Sequence, residues 1–201
     1  MVAVARIVVV HEGGTPWWVP LVIGLGVAVV AAAVSYAATW RFKKRDVERE
    51  NAFRAAERID QAEQITARQD RYDAEGGAAT VNRLVQEARV RAQPLGSSEL
   101  DDRFQAAIDY LFTFTLWQPP PGPPGGRRWL GEGIANIREG LLPFLAAPRF
   151  LPVRRDRATR SFPTKAELLA MPRGANGQEL IDALEEWKAA QEAQPEQPEQ
   201  P

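Results

Sequence analysis

The sequence predicts an all-α fold: a single transmembrane helix, a charged helical stalk, a small cytoplasmic helical domain and a disordered C-terminal tail. Three observations carry this. The run from Trp17 to Trp40, WWVPLVIGLGVAVVAAAVSYAATW, contains no charged residue. Residues 43–75 contain no Gly or Pro and are rich in Ala, Glu, Gln and Arg, which are good helix formers. Farther on, apolar residues return at three- and four-residue spacing, the period of a helix with one buried face.

Residues 1–16, MVAVARIVVVHEGGTP, form a short Val-rich tail. The apolar run at 17–40 reaches ~36 Å as a helix, enough for the ~30 Å hydrocarbon core of a bilayer with some tilt. Trp17, Trp18, Tyr36 and Trp40 stand near its ends, where amphipathic rings favour the membrane interface. Pro20 falls in the first turn, where its missing N–H costs little. A cleaved signal peptide would have a shorter apolar region after a positive N-terminus. Here only Arg6 precedes the run, while Arg41, Lys43, Lys44 and Arg45 follow it. By the positive-inside bias these cations mark the cytoplasmic side. The expectation is a single-pass cell-membrane protein, N-terminus out and C-terminal bulk in the cytoplasm, with Trp17, Trp18, Trp40, Arg41, Lys43, Lys44 and Arg45 as interface anchors. Gly24, Ala28 and Ala32 repeat every four residues, a small-residue stripe that would permit a homodimer.

Residues 41–76 read as a charged juxtamembrane stalk. Val47, Phe53, Ile59 and Ile65 keep no single stripe, so a solvated helix about 45 Å long is expected rather than a sustained coiled coil. Gly76-Gly77 ends it. The domain then spans 77–192, interrupted by a Pro/Gly linker at 118–126. Its first helix places Val81, Leu84, Val85 and Ala88 on one face and stops near Pro94-Leu95-Gly96. Ser98 to Asp101 resembles a capping box opening a second helix. That helix carries Leu100, Phe104, Ala107, Leu111 and Phe114, with Ile108 and Phe112 widening the face; its end, YLFTFTLW, alternates enough to be a strand. QPPPGPPGG is a polyproline spacer in preference to an SH3 ligand.

Leu130, Ile134, Ile137, Leu141 and Leu145 form the next face, on a helix that Gly131, Gly133, Gly140 and Pro143 weaken. Thr164 to Glu167 is a second capping box, and Asn176 to Glu179 resembles a third, before Leu180, Ile181, Leu184 and Trp187. Residues 193–201, ending in a Pro/Gln/Glu repeat, cannot pack a core.

The net charge of −1 hides alternating blocks: +4 over residues 1–45, −5 over 46–126, +5 over 127–160 and −5 over 161–201. The basic block contains Arg149, Arg154, Arg155, Arg157 and Arg160, the candidate anion- or lipid-binding residues. Nucleic acid is the weaker reading, because only Phe150 and Phe162 are available to stack on bases. There is no cysteine, which excludes disulfides, thiolate metal sites and a Cys nucleophile. The single histidine, His11, has no neighbouring Ser or carboxylate pair. No phosphate-binding glycine motif occurs. Neither an enzyme nor a cofactor or metal is expected; the expected partners are the membrane and a protein. The chain reads as an adaptor or scaffold presenting its helical domain at the cytoplasmic face. The alternatives are a structural subunit of a larger membrane complex, or a membrane-tethered regulator that binds anionic lipid or nucleic acid through residues 149–160.

Overall fold

The computed structural model describes residues 16, 18–68, 76–116, 125–147, 160–173 and 177–193. Among them the protein is helical without strands: α1 (Val19–Ala67), α2 (Gly77–Ala92), a 3-10 turn (Gln93–Leu95), α3 (Ser98–Leu116), α4 (Gly126–Ala146), α5 (Lys165–Ala170) and α6 (Gln178–Ala193). The all-α expectation holds. The expected outer tail, the anchor Trp17, most of the Pro/Gly linker, Arg149 to Arg157, Asn176 and the tail beyond Ala193 lie outside the described residues.

The chain divides into two compact units, Met1–Lys44 and Arg45–Pro201. In the first, α1 is long and apolar enough to cross a membrane, and none of the side chains in its most apolar stretch is buried within the protein. The few polar side chains there are accommodated locally: the Thr39 hydroxyl donates to the Ser35 carbonyl at 2.8 Å.

The second unit begins with the rest of α1, and here the structure departs from the sequence expectation. Ala52, Ala55, Ile59, Ala62 and Thr66 are buried, a stripe with helical spacing. This stretch is not solvated on all sides. Its contact face is made chiefly of alanine, whose small side chain lets a neighbouring helix come close but adds little apolar signal. Arg58 pairs with Glu87 of α2 at 3.3 Å, and Arg138 of α4 reaches Asp60 at 3.5 Å and Glu63 at 3.2 Å. These pairs are half-exposed and contribute little individually; burial of the stripe holds the helix in place. Phe53 and Val47 face outward.

α2 buries Val81, Leu84, Val85 and Ala88 as its periodicity predicts, then tightens into the 3-10 turn and ends on Gly96 in the left-handed conformation. α3 starts at Ser98, so the expected box at Ser98 is displaced by one residue. The cap is Ser97, whose hydroxyl accepts from the Leu100 N–H at 3.3 Å. The third helical residue is therefore Leu100, which cannot close a box. YLFTFTLW is helical as far as Leu116, not a strand. Leu100, Phe104, Ala107, Leu111 and Phe114 are buried, whereas Phe112, expected to widen that face, is 63% exposed.

α3 and α4 form the centre of the domain. Gly126, Gly133 and Gly140 are seven residues apart, two turns each, and so share one face of α4. A Cβ on Gly126 would lie 2.2 Å from the Phe114 ring, and one on Gly140 would lie 2.8 Å from Arg103 Cδ. At Gly133 the neighbours, Phe162 and Ala107, are in ordinary contact at 3.4 and 3.5 Å. Glycines that weaken α4 as an isolated helix thus let α3 lie against it. Pro143 is accommodated within its last turns. Tyr110 stacks on Phe114 and takes the edge of Phe162, which is also tilted against Trp129. Phe162 belongs to the core, which removes it as a base-stacking residue.

Candidate interaction surfaces

Four of the predicted membrane anchors are exposed, Trp18 just before α1 and Trp40, Arg41 and Lys43 where its apolar stretch ends. Trp18 is 52% and Trp40 57% exposed, and Arg41 and Lys43 are exposed. Lys44 lies over the Trp40 ring, its ammonium 5.7 Å from the centroid. Arg45 is half-buried and turns to Glu48 at 3.1 Å. Gly24, Ala28 and Ala32 are exposed, and nothing lies within 4 Å of a Cβ built on Gly24.

Of the Arg-rich segment, Arg160 alone is described. It bonds Asp102 of α3 at 3.2 Å, and Ser161 beside it donates to Glu139 at 3.3 Å. Arg160 is thus drawn into an intramolecular pair rather than left for an anion. It also stands near Glu167, the third helical residue of α5. The Thr164–Glu167 capping box is complete: the Glu167 N–H donates to the Thr164 hydroxyl at 3.1 Å, and the Thr164 N–H donates to the Glu167 carboxylate at 2.7 Å. Partial burial raises the Glu167 pKa, but the two Thr164 hydrogen bonds, the nearby Trp187 indole and Arg160 outweigh it and hold the carboxyl below its usual range. The Trp187 N–H makes no hydrogen bond of normal geometry there.

Sequence periodicity missed a buried charge. Arg103 of α3 is 1% exposed. Its guanidinium donates to both the carbonyl and the side-chain oxygen of Asn136 on α4, each at 2.9 Å, and to Glu99 one turn back at 3.0 Å, with Glu139 at 4.0 Å. Asn136 is buried as well. Buried charge is tolerable only where its donors find partners; here Nη1 serves both Asn136 oxygens and Nη2 reaches Glu99. The arrangement bolts α3 to α4 beside Gly140. Nothing in the local sequence marks it, because its partner lies 33 positions away.

Depressions among the described residues include two of a few hundred Å³. One, of about 300 Å³, lies where α2 meets α3 and includes Arg89, Ser97, Asp101 and Phe104; Arg89 and Asp101 satisfy each other across it at 2.9 Å. The other, about 380 Å³ and wide open, lies between α1 and α4 and includes Glu63, Thr66, Arg127, Arg128 and Glu132. Three of its charges are already paired: Glu63 with Arg138, Arg128 with Glu185, and Glu132 with Lys188. Among the described residues no group of His, Cys, Asp or Glu could hold a metal ion. The exposed large apolar side chains of the second unit include Phe53 on α1, Phe112 on α3 and Leu169 on α5. No protein-family model, curated protein or solved structure matches the chain.

Proposed function

We propose that the protein is a single-pass membrane anchor that presents a small helical domain at the cytoplasmic face, where it binds another protein as an adaptor or scaffold. The observation that carries this reading is the contrast within α1. Its apolar stretch finds no cover in the protein, while the same helix continues into a packed helical unit. An apolar helix of that length needs a nonpolar medium, and a core helix would be covered by its own chain. The cations after Trp40 favour the cytoplasmic placement of the domain. Support for an interaction role comes from Phe112 and Leu169, large apolar side chains left exposed on helices that otherwise pack into the core. The Arg160–Asp102 pair weighs against the alternative of a lipid- or nucleic-acid-binding regulator working through the Arg-rich segment.

Deletion of residues 118–201 is a poor test, because it would remove α4 from α3 and expose their shared core. The better experiment isolates the intact tagged chain from membranes beside a Phe112→Ser/Leu169→Ser variant and identifies co-purifying proteins. A Glu186→Cys variant, the sole cysteine in the chain, reports orientation through a membrane-impermeant maleimide. The expected result is resistance to alkaline extraction, labelling only after the membrane is opened, and a partner lost in the double variant. Labelling of intact cells would overturn the orientation, and an unchanged partner set would overturn the interaction surface.

A further inference from the structure

We propose that Trp40, Arg41, Lys43 and Lys44 form a collar that binds the headgroups of anionic phospholipids in preference to zwitterionic ones. This rests on the reading of α1 as a membrane span and adds a lipid selectivity to it.

Most cations of the second unit are paired, although Arg49, Arg68 and Arg91 make no ion pair among the described residues. In the second unit Arg58, Arg89, Arg138, Arg160, Lys165 and Lys188 each meet a carboxylate. Arg41 and Lys43 are exposed and make no ion pair among the described residues. Internal pairing therefore does not explain why they are there. At about 100° per residue, Lys43 projects roughly 160° from Arg41, while Lys44 lies about 60° from it. The charges surround the helix rather than lining one face, an arrangement suited to several separate headgroups and unsuited to a single partner surface. Trp40 sets their depth. An indole favours the boundary between hydrocarbon and headgroups, and Lys44 lies 5.7 Å from the centroid of its ring. Arg41 and Lys43 follow within one turn, and their long stems reach outward to phosphate level. A zwitterionic headgroup offers its phosphate together with a competing ammonium; an anionic phosphodiester offers net negative charge. Each such cation near a charged surface is worth roughly fivefold in binding.

The test uses the full chain reconstituted in phosphatidylcholine vesicles containing a trace of spin-labelled phosphatidylglycerol or, separately, spin-labelled phosphatidylcholine. Electron paramagnetic resonance measures the fraction of each label immobilised by the protein. At low salt, phosphatidylglycerol should be favoured by roughly threefold to fivefold. The preference should fall to about one in an Arg41→Gln/Lys43→Gln/Lys44→Gln variant, and also at about 1 M salt, where the screening length shrinks to ~3 Å. Equal immobilisation of the two lipids by the native chain, or a preference that survives the triple substitution, would overturn the collar. Alkaline extraction of the same vesicles separates the two readings. A chain that stays in the bilayer without lipid preference overturns the collar alone; one that is extracted overturns the span as well.

Discussion

The two parts of α1 invert the usual relation between apolarity and burial. The valine-rich first part is the most hydrophobic stretch of the protein and is left uncovered; the second part is thick with charge, yet its alanine stripe is fully buried. Hydrophobic content alone therefore does not identify what a helix packs against. In the first part valines, leucines and an isoleucine cover most of the cylinder, with Gly24, Ala28 and Ala32 leaving one narrow face of small side chains, and none of it is covered by the protein. In the second, small side chains on one face admit another helix, and charges occupy the remainder.

The largest effect should come from breaking the first part. Val29→Asp with Val30→Asp places two carboxylates near the middle of the apolar run and should cost about 6 kcal/mol of insertion. The variant should move from the alkaline-resistant pellet to the soluble or aggregated fraction, and retention in the pellet would contradict the span. Next comes the bolt that gives the second part a framework to pack on. Arg103→Ala would leave the buried Asn136 oxygens without their donor and should cost about 1–3 kcal/mol, seen as a lowered urea midpoint by circular dichroism.

The comparison is sharpened by making one substitution in both places. Ala55→Leu forces a larger side chain into a closed contact and should cost about 1–3 kcal/mol, whereas Ala31→Leu should leave urea unfolding within about 0.5 kcal/mol. Equal effects would mean that the two parts are not packed differently. Gly126→Ala belongs with Ala55→Leu, since its new methyl meets the Phe114 ring.

The smallest effect should come from the α5 cap. Because Glu167 has a depressed pKa in the folded protein, its contribution is complete above the carboxylate range of the unfolded chain and is lost as pH falls through the folded value. Glu167→Ala should cost roughly 1 kcal/mol at neutral pH. The gap between wild type and variant should narrow as pH is lowered below the unfolded carboxylate range in urea unfolding.

Where a helix buries ordinary hydrophobes, its face was readable from spacing. Val81 to Ala88, Leu130 to Leu141, and Leu180 to Leu184 are buried where periodicity placed them. The Thr164–Glu167 box was equally readable, because all its parts lie within four residues. Three features escaped, each for a physical reason. The stripe on α1 escaped because alanine forms buried and exposed helix faces alike. Arg103 escaped because a buried guanidinium is defined by partners on another helix. Gly126, Gly133 and Gly140 escaped because a glycine that destabilises a lone helix can stabilise a pair by letting them approach. The candidate site was less legible than the fold: of its five arginines, Arg160 alone falls among the described residues, and it is engaged by Asp102.

One contact has a consequence for how this protein can be rebuilt. The Tyr110 hydroxyl donates to the Gly126 carbonyl at 2.8 Å, and the Phe114 ring sits against the same glycine. The end of α3 and the start of α4 are thus clasped independently of the stretch that joins them. Closing a longer loop between fixed ends costs only about 0.6 kcal/mol per doubling of its length. The position between Leu116 and Gly125 is accordingly an insertion port, where a reporter domain or a new pair of termini can be introduced while the clasp keeps the two helices in register.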